Sequence, residues 1–272
     1  MKVISMTFDY KISMKPIQFL APLIVIFSAV SALGSELKST LATLKNESRT
    51  INVTDHGIIG DGKTLNTGQL QKAIDQCHGS GGGVLWFPKG KYVTGTIRLK
   101  SNISLSFDYE AELLGSQRME DYPTKGLKPA REGQAQCLIY AENAQNIQLR
   151  GLGVIDARGK SEFFPKPSRK QPRGQRKRDA RPRLIRMENC QNLTFKGLTY
   201  KDPAFWGLHL IDCRNIHFSA VTIRFQDNQQ NNDGIDLDGC ENVLIEDCDI
   251  ASGDDAICLK STLGPCRNIV VR

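Results

Sequence analysis

The sequence predicts an all-β protein, a right-handed parallel β-helix that begins with one short capping helix. Three observations support this fold. A short phrase centred on an Asn recurs along the chain, apolar and polar residues alternate within each copy, and one helical pattern lies at the N-terminal end of the repeats. A regular period of about 20 to 50 residues is typical of proteins built from stacked repeats.

The repeated phrase has the form of Cys190-Gln-Asn-Leu-Thr-Phe195. Its Asn residues are Asn102, Asn146, Asn192, Asn215, Asn242 and Asn268. The intervals between them are 44, 46, 23, 27 and 26 residues, so each of the first two spans about two repeats. Apolar residues alternate with polar ones, as at Leu193 and Phe195, which indicates short half-buried strands. Coils stacked about 4.8 Å apart would align equivalent side chains in ladders, and the Asn would occupy a turn between strands.

Residues 67–78 are predicted to form the capping helix. Thr67 is the expected N-cap, and a helical stripe of apolar side chains follows it. The members of the stripe are Leu70, Ala73, Ile74 and Cys77. The glycine-rich residues 79–83 end the helix, and residues 84–88 are expected to form the first strand. The helix would shield the open end of the solenoid from water.

The N-terminal residues are typical of a secretory leader. Residues 1–32 combine early lysines, an apolar stretch at 19–30 and the small-residue site Val30-Ser-Ala32. The apolar stretch is short for a membrane span, although an uncleaved anchor is the alternative. We therefore expect a signal peptide at 1–32, a linker at 33–50 and a β-helix domain at 51–272. The protein would be secreted or periplasmic, without stable insertion into a membrane.

Four of the eight cysteines, Cys190, Cys213, Cys240 and Cys266, occupy one equivalent position of the repeat. That regularity predicts an interior ladder of small apolar thiols. One or two disulfides remain the alternative in an exported protein. No paired Cys-x-x-Cys pattern is present, so we expect neither a metal site nor a cofactor.

The net charge of +7 arises from one segment. Residues 166–183 hold nine basic residues against Asp179, a net of +8, so the rest of the chain sums to about −1. Three prolines in the same stretch indicate a loop inserted between coils at about residues 160–183. The loop could be simply solvated, or it could act as a flap that attracts an acidic polysaccharide. Nucleic-acid binding is the third alternative, and we expect no such partner because aromatic residues are not interleaved.

Two acidic motifs lie one repeat apart near the C-terminus. Residues 231–236 read Asn-Asn-Asp-Gly-Ile-Asp, and residues 253–261 read Gly-Asp-Asp-Ala-Ile-Cys-Leu-Lys-Ser. Because the interval from Asp233 to Asp255 matches the repeat, these residues should lie on neighbouring coils, beside Asp254. Three crowded carboxyls disfavour full ionisation and suggest a hydrolytic site. Ordinary turn chemistry, which also uses Asp and Asn-Gly, is the alternative.

The two motifs in this order resemble glycoside hydrolase family 28, the polygalacturonases and their relatives. The resemblance covers residues 51–272, and further similar segments are residues 60–64, 81–84, 87–88, 90–92, 153–159 and 181–182, with Trp206. It implies that Asp254 is the general acid, that Asp233 and Asp255 activate water, and that hydrolysis inverts the sugar configuration. Glycosidic cleavage needs one protonated and one ionised carboxyl, which such a group can supply. The substrate would be an acidic polysaccharide, and the protein is expected to be a monomer.

Lys260 and His209 are two further polar candidates for the site. Lys260 could meet a substrate carboxylate, although an outward solvated lysine fits its position equally well. His209 is interpreted as a strand residue rather than a ligand or base.

Two further elements of family 28, a Gly-His-Gly turn and an Arg-x-Lys strand, are not found before Arg272. On this basis we expect a C-terminally truncated chain with impaired activity and a tendency to aggregate. A pectate-lyase-like β-eliminase and a non-catalytic β-helical carbohydrate-binding protein are the competing functions. The sequence is compatible with endo or exo attack on several uronic-acid polymers.

Overall fold

The computed structural model describes residues 49–128, 135–166, 180–225 and 230–272. The expected signal peptide and all but the last two residues of the expected linker lie outside these ranges, as does much of the basic loop. The described chain forms three sheets in which every pair of neighbouring strands is parallel. Among the described residues, no helix combines the length and apolar character needed to cross a lipid bilayer.

The three sheets have eight, seven and six strands. The eight-stranded sheet contains β1 (Thr50–Asn52), β3 (Gly83–Phe87), β6 (Ile103–Phe107), β9 (Gln145–Gly151), β12 (Gln191–Lys196), β15 (Arg214–Ser219), β18 (Glu241–Glu246) and β21 (Arg267–Val271). The seven-stranded sheet contains β2 (Asp61–Leu65), β4 (Gly90–Thr94), β7 (Ala111–Gly115), β10 (Val154–Asp156), β13 (Thr199–Lys201), β16 (Thr222–Arg224) and β19 (Asp249–Ala251). The six-stranded sheet contains β5 (Ile97–Arg98), β8 (Cys137–Glu142), β11 (Arg183–Glu188), β14 (Leu208–Ile211), β17 (Ile235–Asp238) and β20 (Ile257–Lys260).

From β3 to β20, each coil contributes one strand to each sheet in turn, and strands that are consecutive in sequence do not pair with each other. In the coil that contains β14, for example, the chain continues into β15 and then β16, and each pairs with the strand one coil away. This is the predicted right-handed parallel β-helix, and the fold prediction is confirmed.

The interior is filled by ladders of equivalent side chains, as the period-two alternation predicted. Phe195 stacks on Phe218 of the next coil, with ring centroids 4.4 Å apart and planes 9° from parallel. The predicted thiol ladder is present: Cys190, Cys213 and Cys240 are at most 1% exposed, whereas Cys266 is half-buried. All eight cysteines are free thiols. Shared ladders give each coil a core that it could not form alone.

The repeated Asn residues form one continuous ladder along the turns. From Asn146 onward, each side-chain amide donates to the Oδ1 of the Asn on the preceding coil, at 2.8 to 3.2 Å. The intervals of 44 and 46 residues therefore each span one coil, and the interpretation that each spans two repeats is wrong because these coils carry inserted segments. The ladder runs through Asn102, Asn146, Asn192, Asn215, Asn242 and Asn268, and all six have φ between 53° and 64°. Asn tolerates this left-handed conformation better than other residues with a Cβ. The sequence repeat therefore records both a hydrogen bond and a backbone requirement.

The capping helix α1 spans Thr67–Gly79 and buries the predicted stripe. Its N-cap is Asn66, so the assignment of Thr67 as N-cap is wrong. The Asn66 amide bonds the backbone of Ile59, Thr64 and Val93, while the Thr67 hydroxyl accepts from Gly95 N–H at 2.7 Å. These side chains hold the helix to the first coil instead of satisfying its own first turn.

The prediction that residues 84–88 form the first strand is also wrong, because β1 and β2 precede the helix. β1 pairs with β3, and β2 pairs with β4. Both early strands lack the Asn phrase, so the repeat pattern did not reveal them.

Candidate active site

Four residues form a column just before or at the start of strands in the six-stranded sheet. Each stands two positions before one of the residues Ile185, Leu208, Ile235 and Ile257, which are in register across the sheet. The column consists of Arg183, Trp206, Asp233 and Asp255. Backbone hydrogen bonds hold it together, because Gly207 N–H donates to Asp233 O and Gly234 N–H donates to Asp255 O, both at 2.8 Å. The structure thus places Asp233 and Asp255 on neighbouring coils, as their spacing of one repeat predicted.

The third acidic residue, Asp254, lies beside this column. Asp255 N–H donates to Asp254 Oδ1 at 3.1 Å, which restrains the Asp254 carboxyl. Asp254 and Asp255 are exposed, whereas Asp233 is 4% exposed. The cluster therefore combines one carboxyl removed from water with two that solvent can reach.

The environment of Asp233 favours a retained proton. Burial and, after it, the charge of Asp254 raise its pKa to about 6, while Lys260 partly opposes the shift. Desolvation and like charge both disfavour the carboxylate, so their effects add. Because interacting carboxyls titrate together, the proton held near this pH belongs to the cluster rather than to one residue.

Lys260 faces this cluster instead of bulk solvent, so the interpretation as an outward solvated lysine is wrong. Its side chain is 18% exposed, and its Nζ lies 3.4 Å from Asp236 Oδ1. The Nζ also lies 4.2 Å from the centroid of the Trp206 ring, a cation–π contact. Burial is the largest influence and opposes the ammonium charge, but interactions with Asp236, Cys258 and Asp233 together outweigh it and raise the pKa of Lys260.

Asp236 is a titratable residue of the site to which the sequence motifs gave no role. Its side chain is fully buried, and apart from Lys260 neither oxygen has a close polar partner among the described residues. Burial, reinforced by the charge of Asp233, raises its pKa to about 8. The alternation of side chains along the strand could have revealed it. Asp236 follows the core residue Ile235, so its side chain lies on the outer face of the sheet, as that of His209 does.

Two arginines from the end of the predicted basic loop are buried in the site. Arg181 is 2% exposed and donates to Ala204 O at 3.0 Å, Gln230 O at 2.8 Å and Asn231 Oδ1 at 3.1 Å. These bonds brace the segment that carries Asp233. Arg183 is fully buried and lies over the Trp206 ring, 4.8 Å from its centroid. The interpretation of the loop as simply solvated is therefore wrong for these two residues.

His209 lies on β14, as the sequence predicted, and packs edge-on against Trp206 with centroids 4.9 Å apart. It is 3% exposed, and neither ring nitrogen has a hydrogen-bond partner in the described part of the chain. Burial, together with the charges of Arg183, Arg186 and Lys260, lowers its pKa well below the ordinary value. The imidazole is therefore neutral at physiological pH.

Within the described ranges, no three His, Cys, Asp or Glu side chains are arranged to hold a metal ion. One carboxyl that retains a proton near pH 6, next to others that reach water, is the combination that general acid and general base catalysis require.

The chain is similar to several known proteins. The chain is 33% identical over 222 residues to "Probable polygalacturonase" of Vitis vinifera, covering 77% of this chain and 44% of the relative. It is 27% identical over 259 residues to "Exo-poly-alpha-D-galacturonosidase" of Dickeya chrysanthemi, covering 79% and 42%. The chain thus spans less than half the length of these relatives.

Among solved structures, the exopolygalacturonase of Thermotoga maritima is similar with a TM-score of 0.68 and 26% identity, covering 82% of this chain and 58% of that one. The family 28 exopolygalacturonase of Yersinia enterocolitica gives a TM-score of 0.64 and 26% identity, covering 78% and 45%. The sequence model described as "Glycosyl hydrolases family 28" matches residues 77–271. With the repeat, the coil register and the paired acidic motifs, this match shows that the chain belongs to glycosyl hydrolase family 28.

Proposed function

We propose that this protein hydrolyses glycosidic bonds between uronic-acid residues of a pectic polysaccharide, as a polygalacturonase does. The observation that carries the proposal is the stacking of Asp233 and Asp255 on adjacent coils, with Asp254 beside them. Membership of family 28 and the polygalacturonase names of the relatives support polygalacturonan as the substrate class.

In the proposed reaction, Asp254 donates a proton to the oxygen that leaves. Asp233 and Asp255 accept a proton from the attacking water, whose oxygen forms the new bond to the anomeric carbon. The bond from that carbon to the bridging oxygen breaks, and the configuration inverts because no covalent sugar intermediate forms. The raised pKa of Asp233 sets a condition on this scheme: Asp233 can accept the proton of water only where it is ionised, above about pH 6.

The positive charges around the cluster are consistent with an anionic substrate. Lys260 and Arg183 both lie against Trp206, at the column that holds Asp233. Lys260 Nζ already lies 3.4 Å from Asp236. We therefore propose that Lys260 mainly influences the charge of the neighbouring carboxyls and does not bind the substrate carboxylate directly.

The test is product analysis after incubation of polygalacturonate in water enriched in ¹⁸O. Hydrolysis should place one ¹⁸O at each new reducing end, and Asp254→Asn should lower the rate at least about 100-fold, as expected for loss of a general acid. Asp249→Asn, an exposed residue paired with Arg224, is the matched control and should leave the rate unchanged.

Three outcomes would contradict the proposal. An unsaturated product that absorbs in the ultraviolet would indicate β-elimination. Binding of polygalacturonate without any new ends would indicate a carbohydrate-binding protein. Equal rates for the parent and Asp254→Asn would remove Asp254 from the reaction.

We also propose that residues 1–32 direct export and are removed, followed by a linker at 33–50 and the β-helix domain at 51–272. The charge and apolar pattern of the leader supports this organisation. N-terminal sequencing of protein recovered outside the cell would test it. A mature N-terminus after Ala32 is expected, and intact protein retained in the membrane fraction would contradict the proposal.

A further inference from the structure

One row of side chains crosses the outer face of the six-stranded sheet. Its members are in register on successive strands, in the order Arg98, Tyr140, Arg186, His209, Asp236 and Cys258. Asp236 belongs to the same coil as Asp233, so the row leads from β5 to the acidic cluster. The two halves of the row differ in what lies over them.

The first half is covered by residues 122–128, which we call the closing segment. Arg98 donates to Gly126 O at 2.8 Å and also to Lys125 O. Arg186 donates to Lys128 O at 2.7 Å and pairs with Glu188. The chain therefore crosses this sheet face above β5, β8 and β11.

Packing and charge fix the closing segment in this place. Leu127 is 7% exposed and belongs to a small apolar cluster with Tyr140, which is 3% exposed. Lys128 Nζ lies 3.4 Å from Glu188 Oε2, so the segment ends in an ion pair on β11. Arg186 is fully buried, and loss of its carbonyl partner would leave a buried charge poorly satisfied. Leu127, the Lys128 ion pair and the two arginines therefore anchor the closing segment to the sheet, although most of its residues are exposed.

His209 lies on β14, between the closing segment and the acidic cluster of Asp233, Asp254 and Asp255. Its two ring nitrogens are buried without hydrogen-bond partners among the described residues, which is costly for a structural residue. A neutral imidazole offers one donor and one acceptor, a combination that suits a sugar hydroxyl better than a carboxylate. The strand of Asp236 lies two inter-strand spacings, about 10 Å, beyond β11, so little room remains beside the acids on this side.

We propose that the protein attacks its polysaccharide from a chain end, because the closing segment terminates the substrate groove over β11 and His209 hydrogen-bonds a hydroxyl of the terminal sugar. This inference rests on the proposed function and specifies its mode of attack. The remaining sugars of the polysaccharide extend from the acidic cluster in the opposite direction, towards β20.

The test is a binding measurement with the Asp254→Asn variant, which avoids turnover. The ligands are unlabelled trigalacturonate and two isomers that carry a bulky fluorophore at either the reducing or the non-reducing end. One isomer should bind within about threefold of the unlabelled ligand, and the other should bind at least tenfold more weakly. If the fluorophore is tolerated at both ends, or excluded at both, the proposal is overturned. If unlabelled trigalacturonate does not bind, the proposed function fails with it.

Two pairs of variants, made in the Asp254→Asn background, locate the effect. Arg98→Gln removes the bonds to the closing segment and should reduce the discrimination between the isomers at least threefold. Arg118→Gln, which removes an exposed ion pair to Glu120, is the matched control and should preserve it. His209→Leu should weaken trigalacturonate binding at least tenfold, and His209→Gln should restore part of the loss. Unchanged binding by His209→Leu would overturn the role of that residue, and thermal melting confirms that each variant is folded.

Discussion

The parent protein should become less stable as pH rises because of the buried Asp236 carboxyl, and the Asp236→Asn variant should not. The folded protein holds the proton of this buried carboxyl up to about pH 8, whereas the ordinary pKa of Asp is 3.8. Between these values the folded state binds a proton that the unfolded state has released. Stability therefore falls as pH rises from about 4 to about 8.

The size of the effect follows from the pKa. Each pH unit in this interval corresponds to about 1.4 kcal/mol, so the parent should lose ~4 kcal/mol between about pH 4.5 and 7.5 through this group. Asparagine has nearly the same shape and cannot ionise. The variant also changes the group that lies 3.4 Å from the Lys260 ammonium, but Lys260 stays charged throughout this range, so this change shifts the whole curve equally.

The assay is urea denaturation of both proteins at several pH values in this range. The difference in unfolding free energy should change by about 4 kcal/mol in favour of Asp236→Asn as pH rises. Asp61→Asn is the control, because hydrogen bonds from Thr64 and Lys63 lower the pKa of Asp61 to about 2. Asp61 is thus ionised in both states for most of the range, and its curve should run nearly parallel to that of the parent. If the Asp236→Asn curve is parallel as well, the buried protonated carboxyl does not exist.

Three further predictions concern the ladders of the solenoid. Phe218→Ala should lower the unfolding free energy by about 3 to 5 kcal/mol and Phe218→Leu by less, and equal losses in urea denaturation would contradict the stacking that the structure shows. Asn192→Ala removes two ladder hydrogen bonds and should cost about 2 kcal/mol, whereas Gln191→Ala at an exposed position should cost markedly less by the same measurement. Alkylation followed by mass spectrometry should modify only the half-buried thiols of the native protein, and native modification of Cys213 would show that the ladder opens. The half-buried thiols are Cys248, Cys258 and Cys266.

The repeat determined how much of the fold could be predicted. Each Asn of the ladder satisfies a turn with positive φ and a hydrogen bond to the preceding coil, so both demands appear in the sequence at one fixed position. The early strands β1 and β2 carry no such signature and were missed for that reason. Thr67 illustrates a second limit of prediction from local sequence. Its hydroxyl is suited to cap its own helix, but in the structure it accepts a hydrogen bond from the backbone N–H of Gly95.

The charged residues of the site also fall into those that the sequence identified and those that it did not. Asp233, Asp254 and Asp255 were identifiable because their motifs repeat at the interval of one coil. Arg181 and Arg183 looked like part of a solvated basic loop, since nothing local distinguishes them from the other basic residues of that stretch. Their burial depends on Ala204, Phe205 and Trp206 of the following coil.

The sequence by itself therefore determined the solenoid and the placement of Asp233 and Asp255 on neighbouring coils, because both follow from a period that the chain displays along its length. It did not distinguish one coil with an inserted segment from two short coils. Tertiary structure decided which charges lose contact with water. Asp236, Lys260 and His209 acquire their electrostatic character only when neighbouring coils and the Trp206 ring surround them. Desolvation depends on what packs against a side chain, and that information is distributed over residues far apart in the sequence.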